Sequence, residues 1–349
     1  MTAFVLFFQA TSMHSTYQAP SRVDVLDPLR GIAALAVCWG HFAVGEPTRL
    51  LYVTTRYGHL GVEVFFVISG FVVPYSLNQA GYSIASFPKF LLKRITRLDP
   101  PYIASIFVAL FILFLRFALH GFQASYRPPV SAFQLLLHLG YLNAFFNYNW
   151  VIPLYWTLAI EFQFYLSIGL SYPLISHRSP LIRYLTLGLL GTTFLITPSE
   201  AVVSHYVFLF LLGIASYQFR KALMSATVFG FAVGVLLVML IVSLGLEEAL
   251  VGVATALTIT FVKYKGRALQ FFGRISYSLY LTHMVIGSSI IEFGLNGRVH
   301  SFPGRICLYL IAFAVTIAFA YCFYRLVEVP SIRWSKTLSY GKVGTSSRG

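Results

Sequence analysis

Residues 26–42 read LDPLRGIAALAVCWGHF, an apolar stretch with an arginine at position 30 and a histidine at position 41. A membrane-spanning helix needs about 20 predominantly apolar residues, and this stretch with its neighbours approaches that length. At about 100° per residue, Arg30 and His41 fall on one helix face, roughly 16 Å apart along its axis. The stretch therefore predicts a transmembrane helix with a fixed cation toward one end and a titratable imidazole toward the other.

The whole chain shares this apolar character. Hydrophobic residues make up 58% and charged residues 10% of its 349 positions, whereas a soluble domain carries about 25% charged residues. The mean hydropathy is +0.76. Because so much apolar surface cannot be buried inside a water-soluble globule, we predict an all-α integral membrane protein.

Ten segments are predicted as membrane spans. They comprise residues 27–45, 60–77, 99–119, 155–175, 183–198, 203–219, 226–245, 247–262, 271–293 and 305–327. A further apolar stretch, 133–150, is short and contains one histidine and three asparagines. The charge distribution has to decide whether that stretch crosses the membrane.

Lysine and arginine accumulate in cytoplasmic loops. If the N-terminus is cytoplasmic and 133–150 does not cross, 19 of the 25 basic residues lie on the inner side. If 133–150 crosses, the inner side keeps only eight of the 25. We therefore predict ten spans in the cytoplasmic (inner) membrane, with both termini inside and 133–150 as an outer-face or re-entrant helix. The net charge of +14 is scattered among apolar segments, so nucleic acid is not an expected partner.

The predicted organisation has three parts: an N-terminal cytoplasmic tail (1–25), a transmembrane domain (26–330) and a basic, flexible C-terminal tail (331–349). The three cysteines lie in apolar segments, at spacings that suit neither a metal site nor a disulfide framework. They are Cys38, Cys307 and Cys322. We therefore expect free thiols buried in lipid, and no metal site.

Ionisable side chains inside spans are costly unless paired, and so they mark candidate functional sites. Glu63 opens the second span at a depth similar to that of His41, where its carboxylate could accept a proton from one imidazole nitrogen and orient the ring. A structural alternative also exists for each residue. Arg30 could extend its charge to the membrane surface, His41 could bridge two helices, and Glu63 could belong to an ion pair.

Further charged groups lie near other span ends. Lys93, Arg94 and Arg97 form a basic cluster in the loop after the second span, at the cytoplasmic face. This cluster suits a polyphosphate or anionic lipid headgroups, although such clusters also arise as topology signals. The fourth span enters from the outer side and carries Glu161 about two turns in, beside aromatic residues, and the ninth carries His283 at mid-depth. Glu328 lies at the inner edge of the last span, where we expect Arg274 as its partner. The aromatic neighbours of Glu161 are Trp156, Phe162 and Tyr165.

Taken together, these motifs resemble the acyltransferase family 3 membrane proteins. The matching elements run in order from about Leu26 to Pro330. They are Arg30 with His41, the block Gly61–Phe71 with Glu63 in the acidic place, Arg94 with Arg97, Leu98 and Pro100, the set Trp156, Thr157, Leu158, Glu161, Phe164 and Tyr165, the block Ser276–His283, and Glu328 with Pro330. Val329 departs from the pattern, since an arginine is usual before that proline.

The resemblance implies transfer of an acyl group from cytoplasmic acyl-CoA, by family frequency acetyl-CoA, to a hydroxyl of an extracytoplasmic carbohydrate or glycolipid. Acyl-CoA would be a co-substrate, with no tightly bound cofactor, and membrane lipid would surround the chain. The expected roles are catalysis by His41 and Glu63, donor binding by Arg30, Arg94 and Arg97, and an acceptor pocket. That pocket would comprise Trp156, Glu161, Tyr165 and His283.

Two other classes of protein remain open at this stage. A proton-coupled transporter would also carry buried histidine and glutamate, but the sequence has no internal repeat of the kind on which many transporters are built. A non-catalytic lipid-interacting or scaffold protein would not require several ionisable residues inside its spans.

Overall fold

The computed structural model describes residues 23–42, 49–120, 130–196, 199–264, 266–297, 299 and 301–338. Within these residues the chain folds into thirteen α-helices, and no β-strand is present among them. The helices are α1 (Leu26–Phe42), α2 (Arg49–Thr55), α3 (Gly61–Gln79), α4 (Phe87–His120), α5 (Ala132–Leu139), α6 (Trp156–Ile175), α7 (Pro180–Ile196), α8 (Val207–Arg220), α9 (Ala226–Ser243), α10 (Leu246–Phe261), α11 (Arg267–Gly297), α12 (Phe302–Phe323) and α13 (Val329–Thr337).

Each of the ten segments predicted to span the membrane overlaps one of these helices. Six helical stretches of the described chain are long and apolar enough to cross a bilayer. Helices α1, α7, α8 and α10 have only 14–17 residues. They are therefore about 21–26 Å long, shorter than the hydrocarbon core of about 30 Å. The prediction of an all-α membrane protein is confirmed, whereas the number of crossings stays a prediction.

The ambiguous stretch 133–150 forms a short helix and a turn. Helix α5 has eight residues, which is about 12 Å of helix and too short to cross a bilayer. A 3-10 turn at Asn143–Phe146 follows it. His138 is fully buried and its Nε2 accepts the backbone N–H of Val151 at 3.1 Å. The hydrogen bond of this buried histidine thus holds α5 against the loop that follows it.

Helix α4 begins twelve residues before the predicted start of its span at residue 99. Proline is favoured in the first turn of a helix, so Pro100 and Pro101 suggest a start near that point in the sequence. In the structure both prolines lie inside α4. As a result, Arg94 and Arg97 belong to a packed helix rather than to a cytoplasmic loop.

Two glycines allow α3 and α8 to pack backbone against backbone. A Cβ atom on Gly70 would lie 2.2 Å from the carbonyl oxygen of Phe210, and one on Gly213 would lie 2.2 Å from that of Val67. Only glycine avoids these clashes, and small residues at helix crossings are the usual basis of close packing in membranes. The contact holds α3 in place, and α3 contributes several residues to the site described below.

The last transmembrane stretch contains a change of helix type. Helix α12 passes through a π-helical turn at Tyr324–Glu328 and continues as α13 to Thr337. Residues 331–337 are therefore helical, which corrects the prediction of a flexible tail from residue 331. Residues 339–349, like most of the predicted N-terminal tail, lie outside the described residues. Single π-helical turns are frequent at functional sites.

The three cysteines are free thiols. Cys38 is buried within the protein, while Cys307 and Cys322 lie on the outer surface of α12. The expectation that all three thiols contact lipid is thus wrong for Cys38.

Candidate active site

A cavity of about 310 Å³ is lined by residues of α1, α3, α4, α6, α11 and the π-helical turn. Its charged wall residues are Asp27, Arg30, Arg94, Arg97, Glu161, Arg274 and Glu328. Most of its large uncharged wall residues are aromatic: Phe65, Phe66, Tyr165, Tyr277, Tyr280 and Tyr324. The structure therefore brings the three arginines that the sequence proposed for donor binding into one cavity.

Arg94 is held in place on several sides. Its Nη2 donates to Ser76 Oγ at 2.9 Å. Its guanidinium carbon lies 5.4 Å from the ring centroid of Phe90 and 5.2 Å from that of Tyr165. Stacking on aromatic faces suits a planar guanidinium. Arg94 therefore offers the cavity a cation whose orientation is fixed by its neighbours.

Glu161 faces the arginines inside the same cavity. Its carboxylate accepts hydrogen bonds from Ser69 Oγ at 2.9 Å and from the hydroxyl of Tyr165. Arg30 lies within electrostatic range of Glu161 and also of Arg97. The sequence assigned Glu161 and Tyr165 to the acceptor pocket. The structure places both in the same cavity as the three arginines, and their role toward the acceptor stays a prediction.

The partner of Glu328 also differs from the prediction. Its Oε2 accepts the hydroxyl of Ser278 at 2.6 Å, and no ion pair within the described residues joins it to Arg274. Arg274 is exposed at the edge of the cavity instead. The π-helical turn that ends at Glu328 directs this carboxylate inward.

A pair of histidines lies next to the cavity. His283 Nε2 is 3.3 Å from His41 Nδ1, so α11 and α1 meet through their imidazoles. His283 is fully buried, whereas His41 is half-buried. The ring of Tyr280, which lines the cavity, has its centroid 6.0 Å from that of His283. One aromatic ring therefore borders both the cavity and the histidine pair.

The hydrogen bonds assign the proton on each imidazole. His283 Nδ1 lies 2.8 Å from the carbonyl oxygen of Tyr280, so this nitrogen carries the hydrogen and Nε2 carries a lone pair. His41 Nδ1 lies 2.8 Å from the carbonyl oxygen of Val37 and faces that lone pair. Since both neighbours of His41 Nδ1 are acceptors, Nδ1 is the protonated nitrogen and Nε2 is left as the basic one.

Glu63 does not orient His41, contrary to the prediction. No hydrogen bond joins the two side chains in the described part of the chain, and the partner of the His41 ring is His283. The Glu63 side chain is buried in the first turn of α3, and its Oε2 has no hydrogen-bond partner there. The positive end of the helix dipole favours a carboxylate at that position.

The remaining residue of the predicted acceptor pocket lies apart. Trp156 packs against Tyr206 and Phe66, with ring centroids 5.4 and 6.4 Å away, and does not line the cavity. Conversely, Tyr280 was not singled out from the sequence, although it belongs to the block Ser276–His283. Its hydroxyl is 2.6 Å from Thr157 Oγ1, which ties α11 to the start of α6.

The fold and the site define a helical membrane protein with an arginine-lined cavity, and the ring of Tyr280 lies between this cavity and a pair of imidazoles. Comparison with known proteins agrees with this class. The model of an acyltransferase domain family, acyltransferase family 3, matches residues 23–325. The chain belongs to this family.

Several curated proteins are similar to the chain. An O-acetyltransferase named OatA from Staphylococcus aureus is 24% identical over 360 aligned positions, covering 89% of this chain and 57% of that protein. A putative peptidoglycan O-acetyltransferase, YrhL, from Bacillus subtilis is 35% identical over 162 positions, covering 44% of this chain and 24% of that protein. Protein 2 in the picA locus of Rhizobium radiobacter is 31% identical over 138 positions, covering 37% of this chain and 68% of that protein. The chain thus spans about half the length of OatA and a quarter of YrhL. No solved structure matches it.

Proposed function

We propose that this protein is an O-acyltransferase that moves an acyl group, by default acetyl, from acyl-CoA at the cytoplasmic face to a hydroxyl of an extracytoplasmic carbohydrate or glycolipid. The observation that carries the proposal is the arginine-lined cavity beside the His41–His283 pair. The cavity offers cations to an anionic or carbonyl-bearing donor, and the imidazole offers a base. The names of the O-acetyltransferase relatives support a hydroxyl as the acceptor.

In the proposed reaction, His41 Nε2 takes the proton of the acceptor hydroxyl while its oxygen attacks the thioester carbonyl. The carbon–sulfur bond then breaks, and the imidazolium returns the proton to the leaving thiolate. His283 accepts the Nδ1–H of His41 and so leaves Nε2 as the nitrogen that can take the proton. Arg30, Arg94 and Arg97 hold the donor in the cavity, with Glu161 setting the position of Tyr165 beside them.

Transfer itself is the first test. Purified protein in liposomes, given radiolabelled acetyl-CoA and surface glycan extracts, should form a covalently labelled product that depends on the protein. Flux of label without a covalent product would favour a transporter. Neither product nor flux would favour a scaffold, and either of these results would overturn the proposal. Mass spectrometry of cell-surface glycans with and without the protein would then identify the acceptor.

The proposed mechanism requires a defined orientation in the membrane. We propose ten crossings with both termini cytoplasmic, which puts the loop after α6 and the loop before α11 on the inner side. Single cysteines at Arg178 and Lys263, in a background without native cysteine, should resist a membrane-impermeant thiol reagent in intact cells and react after lysis. Labelling of both positions in intact cells would contradict this topology. Lys265, in the same loop as Lys263, lies outside the described residues.

A further inference from the structure

A groove of about 300 Å³ lies beside the cavity, between the start of α11 and the end of α12. Its lining residues are Phe271, Arg274, Ile275, Tyr321, Tyr324 and Arg325. Arg274 and Tyr324 also line the central cavity. The groove and the cavity are therefore neighbours that share part of one wall.

On each of two helices, an aromatic residue of the groove precedes an arginine by three or four positions. On α11 an aromatic residue is followed three positions later by Arg274, and in the last transmembrane stretch Tyr321 is followed by Tyr324 and then Arg325. Residues three and four apart share a helix face. The rings of Phe271 and Tyr321 have centroids 5.9 Å apart, so they form a continuous aromatic wall across the groove.

The two arginines of the groove are exposed, whereas Arg30, Arg94 and Arg97 of the cavity are partly buried. No ion pair within the described part of the chain uses Arg274 or Arg325. Two cations beside aromatic side chains suit a ligand that contains both a phosphate group and an aromatic base. The guanidinium fork binds phosphate oxygens, and an aromatic face stacks on a base.

The size of the central cavity favours a separate surface for part of the donor if that donor is acyl-CoA. A volume of about 310 Å³ lies at the lower end of small-ligand pockets. It can hold an acyl thioester and part of the pantetheine arm, but not the phosphorylated nucleotide as well. We propose that the groove binds the nucleotide phosphates of the acyl-CoA donor, with the pantetheine arm entering the cavity past Arg274 and Tyr324. This inference rests on the proposed function. An anionic phospholipid headgroup offers the same phosphate chemistry from another source.

Binding measurements separate these sources without knowledge of the acceptor. The protein is placed in phosphatidylcholine nanodiscs, and the Kd values of coenzyme A and of pantetheine, which lacks the nucleotide, are measured. Arg325→Gln should weaken coenzyme A binding about tenfold, as expected for one lost charge-assisted hydrogen bond. The Kd of pantetheine should change less than twofold. Tyr321→Leu should weaken coenzyme A binding in the same selective way. Arg333→Gln is the matched control, because Arg333 is exposed on α13 and lines neither the groove nor the cavity.

Each alternative outcome has a distinct meaning. If the unmodified protein binds no coenzyme A, the donor of the proposed function is wrong. If it binds coenzyme A but Arg325→Gln and Arg333→Gln behave alike, the function stands and the groove assignment is overturned. Native mass spectrometry with phosphatidylglycerol tests whether the groove binds a phospholipid headgroup instead. Loss of bound phosphatidylglycerol in Arg325→Gln, with an unchanged Kd for coenzyme A, would assign the groove to lipid and also overturn the proposal.

Discussion

Replacing His41 by alanine is expected to lower the acyl-transfer rate by about 10²–10⁴-fold, the usual contribution of a positioned general base. The basic Nε2 would be lost, and no other imidazole of the described residues lies at the same place. His283 cannot take over, because its Nδ1 donates to backbone carbonyls and its ring is fully buried. Single-turnover transfer from acetyl-CoA, measured with a saturating acceptor, gives the rate.

The matched variants separate chemistry from folding. His177→Ala changes an exposed histidine in the loop after α6 and should retain the unmodified rate. His283→Ala should cause a smaller loss than His41→Ala, because the Val37 carbonyl still accepts the Nδ1–H of His41. An active His41→Ala protein would place the base elsewhere. A His41→Ala protein that fails to enter the membrane would need to be replaced by His41→Gln, which keeps the size of the side chain.

The sequence predicted the helices well because their signal is local. Length and apolar composition within one segment decide whether it forms a membrane helix, and every predicted span overlaps one in the structure. The partner of His41 could not be found in this way. His283 lies 242 residues further along the chain, and only the packing of α1 against α11 brings the rings together. Glu63 was predicted as the partner of His41 because the two residues lie at similar depth in the membrane. Depth, however, does not specify the direction in which a side chain points.

That Glu161 and Tyr165 line the same cavity as the donor arginines was not predicted, for a related reason. The sequence placed Arg94 and Arg97 in a loop and Glu161 near the opposite side of the membrane. Since α4 starts at Phe87, the two arginines enter the bundle on a helix and meet α6 there. The helix start was hidden by Pro100 and Pro101, which are compatible with a helix interior in membranes when neighbouring groups satisfy the freed carbonyls.

Replacing Arg30 by alanine is the second change for which we expect a large effect, here on donor binding. The Arg30 side chain lines the cavity within range of Glu161 and Arg97, at the far end of α1 from His41. There it can donate to carbonyl oxygens of the pantetheine arm. Arg30→Ala should therefore raise the Kd of pantetheine as well as that of coenzyme A, by roughly 10–100-fold for a lost hydrogen bond involving a charged group. This pattern differs from the nucleotide-selective effect expected for Arg325→Gln.

Arg30→Lys should weaken binding less than Arg30→Ala, because it keeps the charge but loses the planar donor fork. The structural alternative is that Arg30 compensates a buried carboxylate such as Glu328. The carboxylate of Glu328 has its own hydrogen bond from Ser278, and no ion pair to Arg30 is present between these described side chains. Thermal unfolding is measured beside the Kd values, with Arg178→Ala as the exposed arginine control. A lower Tm with unchanged Kd values in both Arg30 variants would assign Arg30 to the structure of the bundle. A raised Kd with an unchanged Tm would assign it to the donor, because binding would then be lost while the helices stay packed.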